Sequence, residues 1–249
     1  MSIIIKSERE IATMRQAGRI VATVLQVLKS SLRPGMKTKE LDFIAVKELE
    51  KLGAKASFKG YRGFPASLCV SVNDEIVHGI PGERIINEGD IVSLDFGAIF
   101  NGFQGDAAIT VGVGKISPKA GRLMETTEGA LRAGIAVARI GARLGDISAA
   151  IQNYAESRGY SVVREYTGHG IGREMHEEPH IPNFGQPGTG PELKRGMTLA
   201  LEPMVNAGDW RTRLGGDYWL VLTADGSLSA HFEHTIAITG GEPEVLTVV

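Results

Sequence analysis

Two aspartates, Asp95 and Asp106, lie eleven positions apart in otherwise apolar sequence, one on each side of Asn101-Gly102. The segment reads Asp90-Ile-Val-Ser-Leu-Asp95-Phe-Gly-Ala-Ile-Phe100-Asn-Gly-Phe-Gln-Gly-Asp106-Ala-Ala-Ile-Thr-Val111. Its β-branched and aromatic residues read as two strands, and Asn-Gly is the strongest short hairpin signal. A two-residue loop sets Asp106 opposite Gly97, which shares a face with Asp95 because strand side chains alternate. The two carboxylates become diagonal neighbours on that face. Like charges in an apolar sheet are costly unless something cationic lies between them. A divalent metal, or two, is the most economical cation.

Three further residues fit such a site. Glu202 interrupts Met197-Thr-Leu-Ala-Leu-Glu-Pro-Met204, and Glu233 interrupts Ala230-His-Phe-Glu-His-Thr-Ile-Ala-Ile238. His169 stands in Thr167-Gly-His-Gly-Ile-Gly172, where glycines let the backbone approach closely. Taken singly, each has an ordinary alternative: an edge aspartate, a glutamate ending a strand, a loop histidine. Together, four carboxylates and an imidazole suit Mn, Fe(II), Co(II) or Zn, and two ions better than one.

One literal motif misleads. His176-Glu-Glu-Pro-His180 spells H-E-x-x-H, which works by placing both histidines on one face of a helix. Pro179 inside that helix would cost about 3 kcal/mol or more, so a zincin is rejected and His180 is expected at the surface or in a loop. Gly112-Val-Gly-Lys115 lacks phosphate-loop spacing. Cys69, with no partner histidine in view, reads as a small apolar residue.

Ser7-x-x-Glu10 is a capping-box signature opening a helix that ends before Pro34-Gly35. A second helix follows Thr38 and stops at Gly53. Strands are expected near 67–72 and 75–78, then the aspartate hairpin. A helix over about 118–138, another after Gly145-Asp146, and strands near 161–164, 197–205, 218–223 and 230–239 repeat that order, with Asp225-Gly226 as a further hairpin turn. The chain is expected to form a single catalytic domain, 1–249, of two α+β halves, roughly 7–113 and 117–240. The net charge of −2 gives no nucleic-acid footprint. One cysteine excludes an intramolecular disulfide. The N-terminal apolar run is too short for a signal or a membrane span. A cytoplasmic location is expected.

The chain resembles the type I methionine aminopeptidases, peptidases of the pita-bread fold. The resemblance rests on Lys59-Gly-Tyr-Arg-Gly-Phe-Pro65, Cys69-Val-Ser-Val-Asn-Asp-Glu-Ile-Val-His-Gly-Ile-Pro81, the aspartate hairpin, Thr167-Gly-His-Gly-Ile-Gly-Arg-Glu-Met-His-Glu-Glu-Pro179, Leu201-Glu-Pro-Met204 and Phe232-Glu-His-Thr235. It implies an α+β architecture of two pseudo-symmetric halves, with a curved antiparallel sheet flanked by helices. It implies two divalent metal ions: Asp106 and Glu233 bridging, Asp95 on one, His169 and Glu202 on the other. His78 and His176 are implied near the scissile bond, and Glu202 as proton carrier. Tyr61, Phe64, Cys69, Met175 and Trp219 are implied around a methionine side chain, with ordinary core packing as their alternative. Phe58 and Arg62 depart from a common family pattern.

The activity implied is removal of an N-terminal methionine that precedes a small residue. Its partners would be peptide and nascent-chain N-termini, with ribosome contact left open and a monomer expected. The short span between His169 and Glu202 leaves no room for a type II insertion, and the short form without an N-terminal zinc-binding extension is expected. Two rivals remain for test: a proline-directed peptidase of the same fold, which usually carries an N-terminal domain, and a non-enzymatic protein that kept the fold. Since Ser2 is small, self-removal of Met1 is a further expectation.

Overall fold

The computed structural model describes residues 2–249; Met1, and with it the expectation about its removal, lies outside the described residues. In chain order the elements are α1 (Glu8–Ser31), α2 (Thr38–Lys51), β1 (Lys55–Ala56), β2 (Leu68–Val72), β3 (Glu75–Val77), β4 (Ile91–Phe100) and β5 (Phe103–Gly112). Then come α3 (Pro118–Val137), α4 (Leu144–Glu156), β6 (Ser161–Val162), β7 (Thr167–Gly170), β8 (Glu177–Pro182), β9 (Thr198–Leu201) and β10 (Met204–Asn206). β11 (Thr212–Leu214), β12 (Val221–Thr223), β13 (Ser229–His231), β14 (Glu233–Ala237) and β15 (Glu244–Val245) close the chain.

Local chemistry sets the helices. The Ser7 hydroxyl accepts the Glu10 N–H while Glu10 accepts the Ser7 N–H, the reciprocal cap read from sequence. Ser117 caps α3 with Pro118 at its first turn. α4 begins at Leu144, one residue before the expected Gly145-Asp146, because the Asp146 carboxylate accepts the Arg143 N–H.

Among the described residues, a nine-stranded antiparallel sheet runs β1-β4-β5-β14-β9-β7-β8, with β2 on β4 and β15 on β14. Leu94, Phe96 and Ala98 of β4 and Ala107 of β5 bury against Val21, Val24 and Leu28 of α1 and Leu41 of α2. α3 and α4 bury Leu123, Leu131, Ile147 and Ile151 with Leu199, Leu201 and Ile236 of the other half. Two three-stranded sheets, β13-β10-β6 and β11-β12-β3, complete the molecule.

Four sequence expectations require correction. The run 197–205 is not one strand: β9 stays in the large sheet and β10 leaves for a small one, with Glu202-Pro203 at the break. The run 230–239 divides likewise at Phe232. The Asp225-Gly226 turn does not close a hairpin, since β12 and β13 belong to different sheets; Asp225 instead accepts the Asp209 and Ser227 N–H groups. The strand expected over 218–223 begins only at Val221, and Tyr218 is exposed with φ +63°.

Candidate metal centre and substrate cavity

The hairpin register places the aspartates as the sequence requires. Gly97 pairs with Asp106 and Asp95 with Ala108 across β4–β5. β14 continues the row, pairing Glu233 with Ala108. Asp95, Ala108 and Glu233 thus span three strands, with Asp106 two residues from Ala108 on the same face. Beside that row the ladder passes through a side chain: the Asp106 N–H donates to Thr235 Oγ1, which donates back to the Asp106 carbonyl. Ala200 pairs with Thr235 on one side and His169 on the other. Alanine at 108 and 200 and glycine at 97 leave the volume between these rows to polar side chains.

His169 is brought against that group because β7 approaches closely. A Cβ at Gly168 would lie 2.4 Å from the Ala200 carbonyl oxygen, and one at Gly170 2.1 Å from that of Glu178. The His169 Nδ1–H donates to the Gly170 carbonyl at 2.8 Å, leaving the Nε2 lone pair aimed at the carboxylates. Nε2 lies 3.6 Å from Glu202 Oε1 and 4.0 Å from Asp106 Oδ2. Glu202 reaches the cluster because its strand breaks there, and Asn183 holds its carbonyl at 3.1 Å. Asp106, His169 and Glu233 each offer a ligand atom within 4.8 Å of the others.

The cluster is electrostatically incomplete. Asp95 Oδ1, Asp106 Oδ1 and Glu233 Oε1 are buried without a hydrogen-bond partner. Burial pushes the Asp95 carboxyl up to about 7. Burial first, then the neighbouring carboxylates, holds Asp106, Glu202 and Glu233 well above the usual range. Burial pushes His169 down to about 3, so its ring is neutral and ready to ligate. Four carboxyl groups that ionise only with difficulty, beside a neutral imidazole, fit a divalent cation: it replaces protons and satisfies the orphaned oxygens. No step of sequence reasoning singled out Thr235; its interruption of an apolar strand was the available signal.

A cavity of about 380 Å³ opens over this floor, and every residue proposed from sequence lines it. Phe64 and Trp219 meet edge-on at 5.1 Å and pack with Cys69, while Met175 packs with Tyr61. Cys69 is paired in register with Asp95, and burial raises its thiol well above the usual range, so it serves as an apolar wall. His78 takes φ +62°, a strained conformation for a non-glycine residue. Its ring stands edge-on to Tyr166 at 5.7 Å and Trp219 at 6.4 Å. Burial pushes it down to about 4. His176 lies tilted against His169, ring centroids 4.2 Å apart, and its Nδ1 lies 2.8 Å from the Tyr61 hydroxyl. The surrounding protein, then the Arg62 guanidinium, pushes His176 down to about 4. Glu177, next in sequence, is anchored by a buried ion pair with Lys6.

The H-E-x-x-H segment is strand β8, not helix. His180 is exposed on it, pairs with His169 in register, and lines the cavity mouth. Tyr166, Thr167, Glu165 and Val77 also line the cavity and were not anticipated; nothing in their local sequence separates them from ordinary strand-end residues.

A profile of metallopeptidase family M24 matches residues 12–240. The chain is 53% identical to methionine aminopeptidase of Clostridium perfringens, over 99% of both chains. It is 54% identical to methionine aminopeptidase 1 of Bacillus subtilis, over 99% of this chain and all of that protein. The crystal structure of methionine aminopeptidase from Thermotoga maritima superposes with a TM-score of 0.98, covering both chains fully at 46% identity. The four helices and the antiparallel sheet that carries the acidic rows are accordingly the pita-bread fold, and the chain belongs to the methionine aminopeptidases of metallopeptidase family M24.

Proposed function

We propose that this protein is a metalloaminopeptidase that removes N-terminal methionine from peptides and nascent chains, preferring a small second residue. The observation that carries this reading is the junction of two environments in one cavity. An apolar wall of Phe64, Cys69, Met175 and Trp219 and a floor of four carboxylates line the same cavity. A free α-ammonium beside that floor finds the negative charge it needs, whereas an internal peptide bond would bury an unpaired amide there. The volume of about 380 Å³ suits a methionine side chain with a small neighbour.

Two divalent ions, of Co, Mn, Fe(II) or Zn, are assigned to the floor. Asp95, Asp106, His169, Glu202 and Glu233 would hold them. Bound there, they would supply Lewis acidity, lowering the pKa of water and polarising a carbonyl oxygen. The protein supplies the rest. Tyr61, Phe64, Cys69, Met175 and Trp219 surround the methionine side chain and exclude water. Glu202 takes the proton of the attacking water and passes it to the leaving amine. With the Tyr61 hydroxyl, 2.8 Å away, donating to Nδ1, a neutral His176 would present Nε2–H to the developing oxyanion. His78 holds the scissile amide. Ligands from both halves meet in this one site, so the chain acts as a single catalytic unit.

The test is release of free methionine from Met-Ala-Ser by protein loaded with Mn(II) or Co(II), with Met-Lys-Ser cleaved far more slowly and x-Pro peptides left intact. Loaded protein inert on Met-Ala-Ser would overturn the reading; preferred x-Pro cleavage would transfer it to the proline-directed peptidases.

A further inference from the structure

His231 is buried to 1% exposure, and neither of its ring nitrogens has a hydrogen-bond partner. Buried polar atoms are nearly always satisfied, so two orphans on one ring need an explanation. Two residues along, Glu233 is 2% exposed and its Oε1 is also orphaned. His231 ends β13 and Glu233 begins β14, and alternate residues of an extended chain point to the same side. His231 Nε2 stands 4.0 Å from Glu233 Oε2, about one ångström beyond a hydrogen bond.

The backbone of His231 is fixed on both sides. The His231 N–H donates to Thr110 Oγ1 at 2.9 Å, and Thr110 Oγ1 donates to the His231 carbonyl at 2.8 Å. Thr110 is itself held by Ser93 at 2.9 Å. These hydroxyls satisfy the main chain and leave the imidazole unused, aimed along the strand at the glutamate. An imidazole carries at least one N–H in either protonation state, so the ring has a proton to donate.

We propose that His231 is a positioning residue for the metal centre: its Nε2–H donates to the Glu233 carboxylate and fixes that group's orientation as a ligand. The inference rests on the metal reading above. It extends to this chain the general pattern in which ligating carboxylates are themselves hydrogen-bonded. A cation taken by the orphaned Glu233 Oε1 leaves Oε2, the oxygen nearer the ring, to accept from His231 Nε2.

Calorimetric titration of chelator-treated protein with Mn(II) tests this, using wild type, His231→Gln and His231→Leu. Loss of the donor should weaken binding about 10- to 100-fold in His231→Leu. The chelated variant should keep the wild-type melting temperature or exceed it. His231→Gln, which keeps an N–H donor, should recover most of the affinity. His231→Leu binding Mn(II) as tightly as wild type would overturn the proposal, as would equal losses in the Leu and Gln variants. Should His231→Leu not fold, the 15N spectrum of histidine-labelled wild type decides: Zn(II) must move the His231 Nε2–H signal downfield, and an unmoved signal refutes the contact. Wild type that takes up no cation would instead overturn the metal reading, and the role of His231 with it.

Discussion

The two kinds of residue on the cavity floor and wall make opposite demands on an experiment. Glu233 sits among carboxylates whose mutual repulsion only a cation relieves. Glu233→Gln should therefore lower bound metal by about half or more, read by elemental analysis after dialysis, because a neutral amide replaces a charged carboxylate that the resemblance implies as bridging. Full metal retention with full activity would refute the bridging role. His78 and His176 stand over the floor rather than in it. His176→Ala should lower kcat about 10²- to 10³-fold, the cost of one oxyanion donor. His78→Ala should lower turnover about 10²-fold through misplacement of the scissile amide. Both should keep wild-type metal content, and lost metal in either would reassign that histidine. At this scale the sequence was readable because each of the four carboxylates interrupts an apolar run and His169 stands among glycines. Thr235, His231 and Tyr166 stayed hidden because a hydroxyl or a ring in a strand looks the same whether it braces a ligand or fills a core.

Elements became legible wherever one local rule decided them. The Ser7–Glu10 box, the Pro118 start and the Asn101-Gly102 turn each fixed a boundary by short-range chemistry. Sheet membership did not, because hydrophobic period specifies a strand but not its partner. The apolar runs 197–205 and 230–239 read as single strands, yet each changes sheet at the site, which frees Glu202 to reach the cluster and sets Glu233 at a strand end. β7 and β8 were missed because glycine, proline and histidine mask their extended backbone. The contact that seats the hairpin on its helix is more local. A Cβ at Gly105 of β5 would stand 2.8 Å from the Gly18 nitrogen and 2.9 Å from the Ala17 carbonyl carbon, both α1 backbone. Gly105→Ala should push α1 from the sheet and cost about 1–3 kcal/mol, seen as a lower urea midpoint with an unchanged slope. Gly216→Ala, at a position with nothing within 4 Å, is the control. An unshifted midpoint for Gly105→Ala would mean that the helix–sheet spacing adapts freely.

For the whole molecule, the site is a source of instability that changes sign with its occupant. The carboxyls of Asp95, Asp106, Glu202 and Glu233 have folded pKa values raised above their unfolded ones. Without metal, the folded chain then binds more protons than the unfolded chain, so this contribution is full below about pH 4 and declines as pH rises through the raised values, about 7 for Asp95. The buried histidines run the other way. His78, His176 and His234 fall to about 4, and His169 and His231 to about 3. Their contribution is present above about pH 6.5 and is lost on acidification. The melting temperature of the chelated protein alone therefore mixes two opposed slopes. The difference between loaded and chelated protein separates them, because the histidines outside the ligand set are common to both forms. A cation takes over where the protons leave, and binding to the folded form alone raises its stability by mass action. The stabilisation by saturating Mn(II) should be small near pH 5 and grow steadily to pH 8, measured calorimetrically at fixed ionic strength. A stabilisation equal at both pH values would mean that the four carboxylates do not exchange protons for metal, and would remove the electrostatic basis of the site.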